Sequence, residues 1–244
     1  MARHEYCVLS EATNFSVGGN NMKTKQAGFT LVEIAIVLVI IGLLLGGILK
    51  GQEMIVQAKV KNSIQDFSGV SAAYYGYQDR YRAIPGDDAD AVRWTGGAGT
   101  IVAGDGNRIL TGKYDATSGE SAQWWDHLRR SGFVTGGSGV SLPQNAFNGV
   151  LGVQTGDGAG VASTSAPFAL STPVGPALGG IYNLILCSTS LPDKVAIALD
   201  VQMDDGKSDQ GAVRAVKSSA TSMTTAVSPY EENGTNLYTL CRQF

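Results

Sequence analysis

Histidine is scarce in this chain of 244 residues, which contains only His4 and His127. A metal centre built from several imidazoles is therefore excluded. The chain also lacks a Gly-x-Ser-x-Gly motif, a phosphate-binding loop and a Cys-x-x-Cys pair. Because no catalytic set of residues is recognisable, the sequence predicts a protein that is not an enzyme.

Charge is almost absent from one stretch of the chain. Phe29 to Leu49 comprises 21 residues, and Glu33 carries the only charge among them. A helix of this length rises about 31 Å, which matches the hydrocarbon core of a bilayer. The sequence therefore predicts a membrane-spanning helix.

The residues around the start of the apolar stretch indicate which kind of membrane segment it is. Lys23 and Lys25 are followed by Gly28, and residues 28–33 read Gly-Phe-Thr-Leu-Val-Glu. A signal peptide has its small-residue cleavage site after the apolar run, whereas Gly28 lies before it. The motif resembles the processing site of type IV prepilins and of the pseudopilins of type II secretion. This resemblance implies cleavage by prepilin peptidase between Gly28 and Phe29 and methylation of the new amine on Phe29.

Glu33 is the most costly residue of the predicted span. A carboxylate inside a membrane costs at least a few kcal/mol unless it is paired, and no basic residue lies within reach on the same helix. The resemblance implies that its partner is the amine of Phe29 in a neighbouring, axially staggered subunit, so that Phe29 and Glu33 serve assembly. The alternative is a plain signal anchor, in which Glu33 snorkels to the interface or is protonated.

The chain is expected to have three parts: a leader over 1–28, a transmembrane and assembly helix over 29–83, and a globular domain over 84–244. Residues 1–21 are polar and have no periodic pattern. A start at Met22 would leave a short basic leader, so 1–21 are interpreted as a mis-assigned start, with a long leader as the alternative.

The lysines before the span also predict its orientation. Lys23 and Lys25 favour a cytoplasmic N-terminus by the positive-inside rule, so the domain is expected in the periplasm of a bacterium, on a single-pass inner-membrane anchor. Residues 29–244 contain 15 basic and 19 acidic residues, a net charge of −4. This balance disfavours a nucleic-acid-binding face.

Two cysteines, Cys187 and Cys241, lie beyond residue 28. In an oxidising compartment they favour one disulfide that ties the C-terminal tail to the domain. Spacing alone leaves open two separate buried thiols.

The pattern beyond the span predicts an α+β domain. The helix is expected to continue to about Arg82 and to stop at Pro85-Gly86, followed by surface loops over 84–119. Its apolar stripe comprises Val60, Ile64, Phe67, Ser71, Tyr74, Tyr77 and Tyr81.

Further helices are predicted over 120–131 and 191–203. Strands of an antiparallel sheet are predicted over 150–153, 168–170, 212–216 and 237–241, and 181–187 could be strand or helix. The resemblance implies the lollipop arrangement of pilins, in which the long helix packs on a loop-rich antiparallel sheet. Trp124 and Trp125 are interpreted as core residues, and His127 as a partly exposed or hydrogen-bonded core residue.

One weak metal site remains among the acidic residues. The carboxylates crowd a turn centred on Gly206, and calcium prefers such hard oxygen ligands. The resemblance adds to this hypothesis, because some pilins and pseudopilins hold calcium in a C-terminal loop. A solvated acidic turn without any cofactor is the favoured interpretation, and residues 104–107 are a weaker candidate. The candidate ligands are Asp200, Asp204, Asp205 and Asp209.

Three functions are compatible with these sequence features. The first is a structural subunit of a type IV pilus or of a type II secretion pseudopilus. The second is a minor pilin whose domain binds a surface, DNA or cargo at a filament tip. The third, a singly anchored envelope enzyme, is disfavoured by the processing motif. The expected partners are other pilin or pseudopilin subunits, prepilin peptidase, an inner-membrane assembly platform and membrane lipid.

Overall fold

The structure is a computed structural model that describes residues 29–94, 100–155, 183–219, 222–225 and 230–244. The chain divides into two compact units, residues 1–48 and 49–244. The expected leader over 1–28 lies outside the described residues.

Helix α1, Leu31–Tyr81, contributes to both units. Every residue from Leu31 to Lys50 is exposed. The first buried residue of α1 is Val60, and further buried residues follow at spacings of three and four. Of the predicted stripe, Ile64, Ser71 and Tyr81 are half-buried. The buried face consists of Val60, Ser63, Phe67, Val70, Ala73, Tyr74 and Tyr77.

Within the described residues five strands form one antiparallel sheet, and their order across it is β1 (Leu151–Thr155), β2 (Leu184–Pro192), β5 (Leu237–Gln243), β3 (Val213–Ser219) and β4 (Ser222–Thr225). The strands predicted over 150–153, 212–216 and 237–241 correspond to β1, β3 and β5, and residues 184–187 are strand. The strand predicted over 168–170 lies outside the described residues, and β4 was not predicted.

The described part of the chain also contains two shorter α-helices, α2 over Glu120–Arg130 and α3 over Asp193–Met203, and a 3-10 helix over Ala91–Arg93. The prediction that α3 starts at residue 191 is wrong by two residues. Leu191 and Pro192 instead pair with β5 as the last residues of β2. Because these two residues pair in the sheet, the helix begins only at Asp193, and Pro192 is its N-cap.

Aromatic side chains connect α1 to the rest of the core. The ring of Tyr74 lies 4.8 Å from that of Phe244, and the ring of Tyr77 lies 5.7 Å from that of Trp94. Trp124 is fully buried in the same cluster of apolar residues, as is its neighbour Trp125. Both tryptophans are therefore core residues, as predicted.

The surface loops predicted over 84–119 are wrong at their start, because residues 85–88 are buried, whereas residues 105–109 are exposed. Asp87 and Asp88 are each only 2% exposed. Asp88 accepts a hydrogen bond of 2.6 Å from the hydroxyl of Tyr77 and two bonds, of 3.0 and 3.1 Å, from the guanidinium of Arg93. These charge-assisted bonds stabilise the buried carboxylate and fix the segment to α1.

His127 holds the same segment from the side of α2. The N–H of Gly86 donates to His127 Nδ1 at 2.8 Å, and Nε2 lies 3.0 Å from the carbonyl oxygen of Val102. Burial lowers the pKa of His127, which favours the neutral ring with its proton on Nε2. Its role is structural, in agreement with the core-bonded interpretation.

Cys187 and Cys241 form a disulfide. They lie directly opposite each other on the adjacent strands β2 and β5, and both are fully buried. The disulfide predicted from the cysteine count is therefore present.

We predict that replacing both cysteines with alanine lowers the free energy of unfolding. The bond closes a segment with a sequence separation of 54 residues, and chain entropy for such a loop contributes about 4 kcal/mol. Denaturant unfolding of the detergent-solubilised chain measures the change. Reduced wild-type protein is the control and should match the double variant. Equal midpoints with and without reductant would contradict the stabilising role.

Candidate functional site

The first candidate site is the start of α1. Phe29, the first described residue, is 82% exposed, and Gly28 lies outside the described residues. The helix begins at Leu31, so Thr30 is its N-cap residue and Glu33 stands at the third helical position.

Thr30 and Glu33 form a reciprocal capping box. The amide N–H and the hydroxyl of Thr30 donate to Glu33 Oε2 at 2.9 and 2.8 Å, and the N–H of Glu33 lies 3.3 Å from Thr30 Oγ1. Two otherwise unpaired backbone donors are thus satisfied at the helix start. The sequence signal for this feature is Thr-x-x-Glu before an apolar run.

The capping box gives the Glu33 carboxylate hydrogen-bond partners within its own chain. The carboxylate has no cation within reach on its own helix, as the sequence indicates, but it accepts hydrogen bonds from Thr30 of its own chain. Both bonds end on Oε2, and Oε1 accepts none from the described residues. Glu33 can therefore keep its cap and still receive a cationic group from another molecule.

The apolar part of α1 that follows has the composition of a membrane span. Within the described residues α1 is the one helix long and apolar enough to cross a membrane, and none of its most apolar stretch is buried. The exposed apolar side chains continue to Met54, Ile55 and Val56. Such a surface requires lipid or another protein to cover it.

Comparison with known proteins identifies this site. The family model described as the prokaryotic N-terminal methylation motif matches residues 23–49. This motif is the signature of type IV pilins and pseudopilins. The resemblance of residues 28–33 to that signature is therefore confirmed. It supports a precursor that prepilin peptidase processes, and it indicates a structural subunit. The chain matches no curated protein and no solved structure.

The acidic turn after α3 brings three of its four predicted ligands together. One carboxylate oxygen each from Asp200, Asp204 and Asp205 lies within 4.8 Å of the others, whereas Asp209 is outside this group. Asp204 accepts a hydrogen bond from the N–H of Val213 at 2.9 Å. Calcium at this group remains a hypothesis.

Asp200 is the unusual member of the group, because it is fully buried. The hydroxyl of Tyr230 donates to Oδ2 at 2.6 Å, while Oδ1 is buried without a hydrogen-bond partner among the described residues. Burial raises the pKa of Asp200 to about 6. Either a proton or a cation would offset the cost of burying this carboxylate.

A second acidic group consists of Asp87, Asp105 and Glu120, whose oxygens also lie within 4.8 Å of one another. Asp87 accepts hydrogen bonds from the N–H groups of Gly106 and Arg108 at 2.8 and 2.6 Å. Only Asp105 belongs to the weaker candidate at 104–107. The other two come from distant segments, so no local pattern indicated them.

We predict that the protein loses stability as the pH rises through about 6, because of Asp200. The folded-state pKa of about 6 exceeds the ordinary value of 3.8, so this stabilising contribution is complete below about pH 4 and lost as pH rises through 6. The loss amounts to at most about 3 kcal/mol. Denaturant unfolding in chelator, from pH 4 to pH 8, measures it.

Asp200→Asn removes this titration and keeps an acceptor for Tyr230, so its stability should vary less over the same range. Asp79→Asn, at an exposed aspartate on α1 outside this acidic group, is the matched control and should behave like wild type. If stability at pH 8 rises in millimolar calcium, and Asp200→Asn abolishes the rise, an ion rather than a proton satisfies the group.

Proposed function

We propose that residues 29–244 form a structural subunit of a type IV pilus or of a type II secretion pseudopilus. In this proposal prepilin peptidase cleaves the precursor between Gly28 and Phe29, and the mature subunit assembles through α1. The observation that carries it is the methylation motif over residues 23–49, followed by an apolar helix whose residues from Leu31 to Lys50 are all exposed.

The membrane holds the subunit before assembly in this proposal. Lys23 and Lys25 keep the N-terminus in the cytoplasm, and the chain after Lys50 lies in the periplasm. An oxidising periplasm agrees with the disulfide between Cys187 and Cys241. An inner-membrane assembly platform then extracts the subunit into the filament, and nucleic acid is not among its ligands.

Assembly replaces lipid around α1 with copies of α1. Glu33 Oε1 is the acceptor for the amine of Phe29 in the adjacent copy, and this charge pair offsets the cost of a carboxylate in an apolar surrounding. The pair also gives the contact a direction, since the donor and acceptor lie on different copies.

A minor pilin at a filament tip is the second candidate. The domain over 84–244 comprises about 160 residues, which is large for a compact repeating subunit. In that position the domain would contact a surface, DNA or cargo, and the subunit would use only one side of its assembly helix.

We predict that Gly28→Val blocks maturation. The peptidase is expected to cut next to the membrane surface, where a larger side chain should not fit. Gel mobility of the chain from membrane fractions separates the precursor from the mature form. Gly47→Val, a substitution of the same kind within the apolar stretch, should leave cleavage intact. Normal yields of mature Gly28→Val protein would exclude the site.

We also predict that Glu33 serves assembly and not insertion. Glu33→Gln can retain the hydrogen bonds from Thr30, since glutamine also closes a capping box, but it loses the charge. Both Glu33→Gln and Glu33→Ala should enter the membrane normally, while the filament fraction released by shearing falls about tenfold, equivalent to about 1.4 kcal/mol per contact.

Glu53→Ala is the matched control for these variants. Glu53 is an exposed carboxylate on the same helix, bonded to Lys50 at 2.7 Å, and its loss should change the filament fraction little. If Glu33→Gln assembles normally and only Glu33→Ala is impaired, the carboxylate acts through the helix cap and charge pairing is wrong.

A further inference from the structure

Asp66 is a half-buried carboxylate on α1 that lines a cleft of about 580 Å³. In the described part of the chain no ion pair or hydrogen bond to it is found. Arg129 lines the same cleft, but its guanidinium donates to the carbonyl oxygens of Gly139 and Ser141. Burial raises the pKa of Asp66, which is the expected effect for a carboxylate that lacks a cation.

Lys61 is the complementary group on the same helix. It is exposed, and among the described residues it has no ion pair or hydrogen bond. Asp66 lies five positions after Lys61, which places the two side chains about 140° apart around the axis of α1. The two charges therefore point to different flanks and cannot pair in one chain. Lys50 and Glu53, three residues apart, do pair.

Two separated flanks of opposite charge suit a head-to-tail contact between copies. In such a contact each copy uses one flank toward one neighbour and the other flank toward the next, so the contact repeats without closing. Lys61 of one copy then meets Asp66 of another. The head-to-tail contact pairs both charges. It does not require a symmetric dimer, in which both copies use the same surface.

The axial positions of the charged groups support the same contact. The proposed bond between the Phe29 amine and Glu33 of the adjacent copy displaces the copies by four residues, about 6 Å. Copies in a filament are related by one screw operation, so every residue is displaced by the same axial distance. This places Lys61 of the displaced copy at the height of residue 65, about 1.5 Å from the height of Asp66.

We propose that Lys61 of one copy enters the cleft beside Asp66 of the adjacent copy and forms a charge pair that fixes the axial stagger of the filament. This inference rests on the proposed function as a filament subunit. The partner is a second copy of this chain, and the pair acts together with the bond between the Phe29 amine and Glu33.

Charge reversal tests the pair. Asp66→Lys and Lys61→Asp should each lower the sheared filament fraction about tenfold at unchanged membrane level. The double variant, which exchanges the two charges, should recover most of the loss. Asp79→Lys is the matched control, because Asp79 is an exposed acid on the same helix, and it should assemble like wild type. If the double variant does not recover the filament fraction, the proposed charge pair is wrong.

Cysteine cross-linking tests the contact without reversing a charge. Cells that produce Asp66→Cys and Lys61→Cys on two separate copies should give a disulfide-linked dimer in sheared filaments after mild oxidation. Asp66→Cys with Ser68→Cys is the control for register and should give little dimer. Equal dimer from both combinations would overturn the proposed register.

The two proposals fail in different ways. If wild-type chains give no filaments or pseudopili at all, the proposed function fails, and this inference fails with it. If wild-type chains assemble and depend on Glu33, but Asp66→Lys and Lys61→Asp assemble normally, only the charge pair is wrong.

Discussion

The structure depends on a division within one helix between residues that the chain covers and residues that it leaves exposed. Apolar side chains of α1 as far as Val56 are exposed, whereas Val60 and the positions three and four residues apart beyond it are buried. Burying apolar surface is the main favourable contribution to folding and association. The exposed part of α1 therefore requires lipid or another protein to cover it.

Elements with a clear period could be predicted from the sequence, and elements set by distant contacts could not. The apolar stripe through Phe67 and Tyr74 predicted how far α1 extends, because the apolar face of a helix packs against the core along its length. Asp87 and Asp88 were assigned to a surface loop, since local composition does not reveal buried partners such as Tyr77. The two-residue error at the start of α3 has the same cause, because pairing of Leu191 with β5 outweighs the helical signal.

The candidate site shows the same contrast between local and distant information. Residues 28–33 lie next to one another in the sequence, so the processing motif was recognisable without a structure. The capping box of Thr30 and Glu33 was equally local. The role inferred for Asp66 required knowing that it lines a cleft, and Glu120 joins an acidic group only because the chain folds back on itself.

The disulfide determines what happens to the chain when a protease cuts it between the two cysteines. Cys187 and Cys241 enclose α3, β3 and β4, so a single cut anywhere between the two cysteines leaves both fragments covalently joined. The fragments also remain adjacent in the sheet, because β2 and β5 are hydrogen-bonded neighbours. A chain nicked in this segment would therefore keep its C-terminal strand in place.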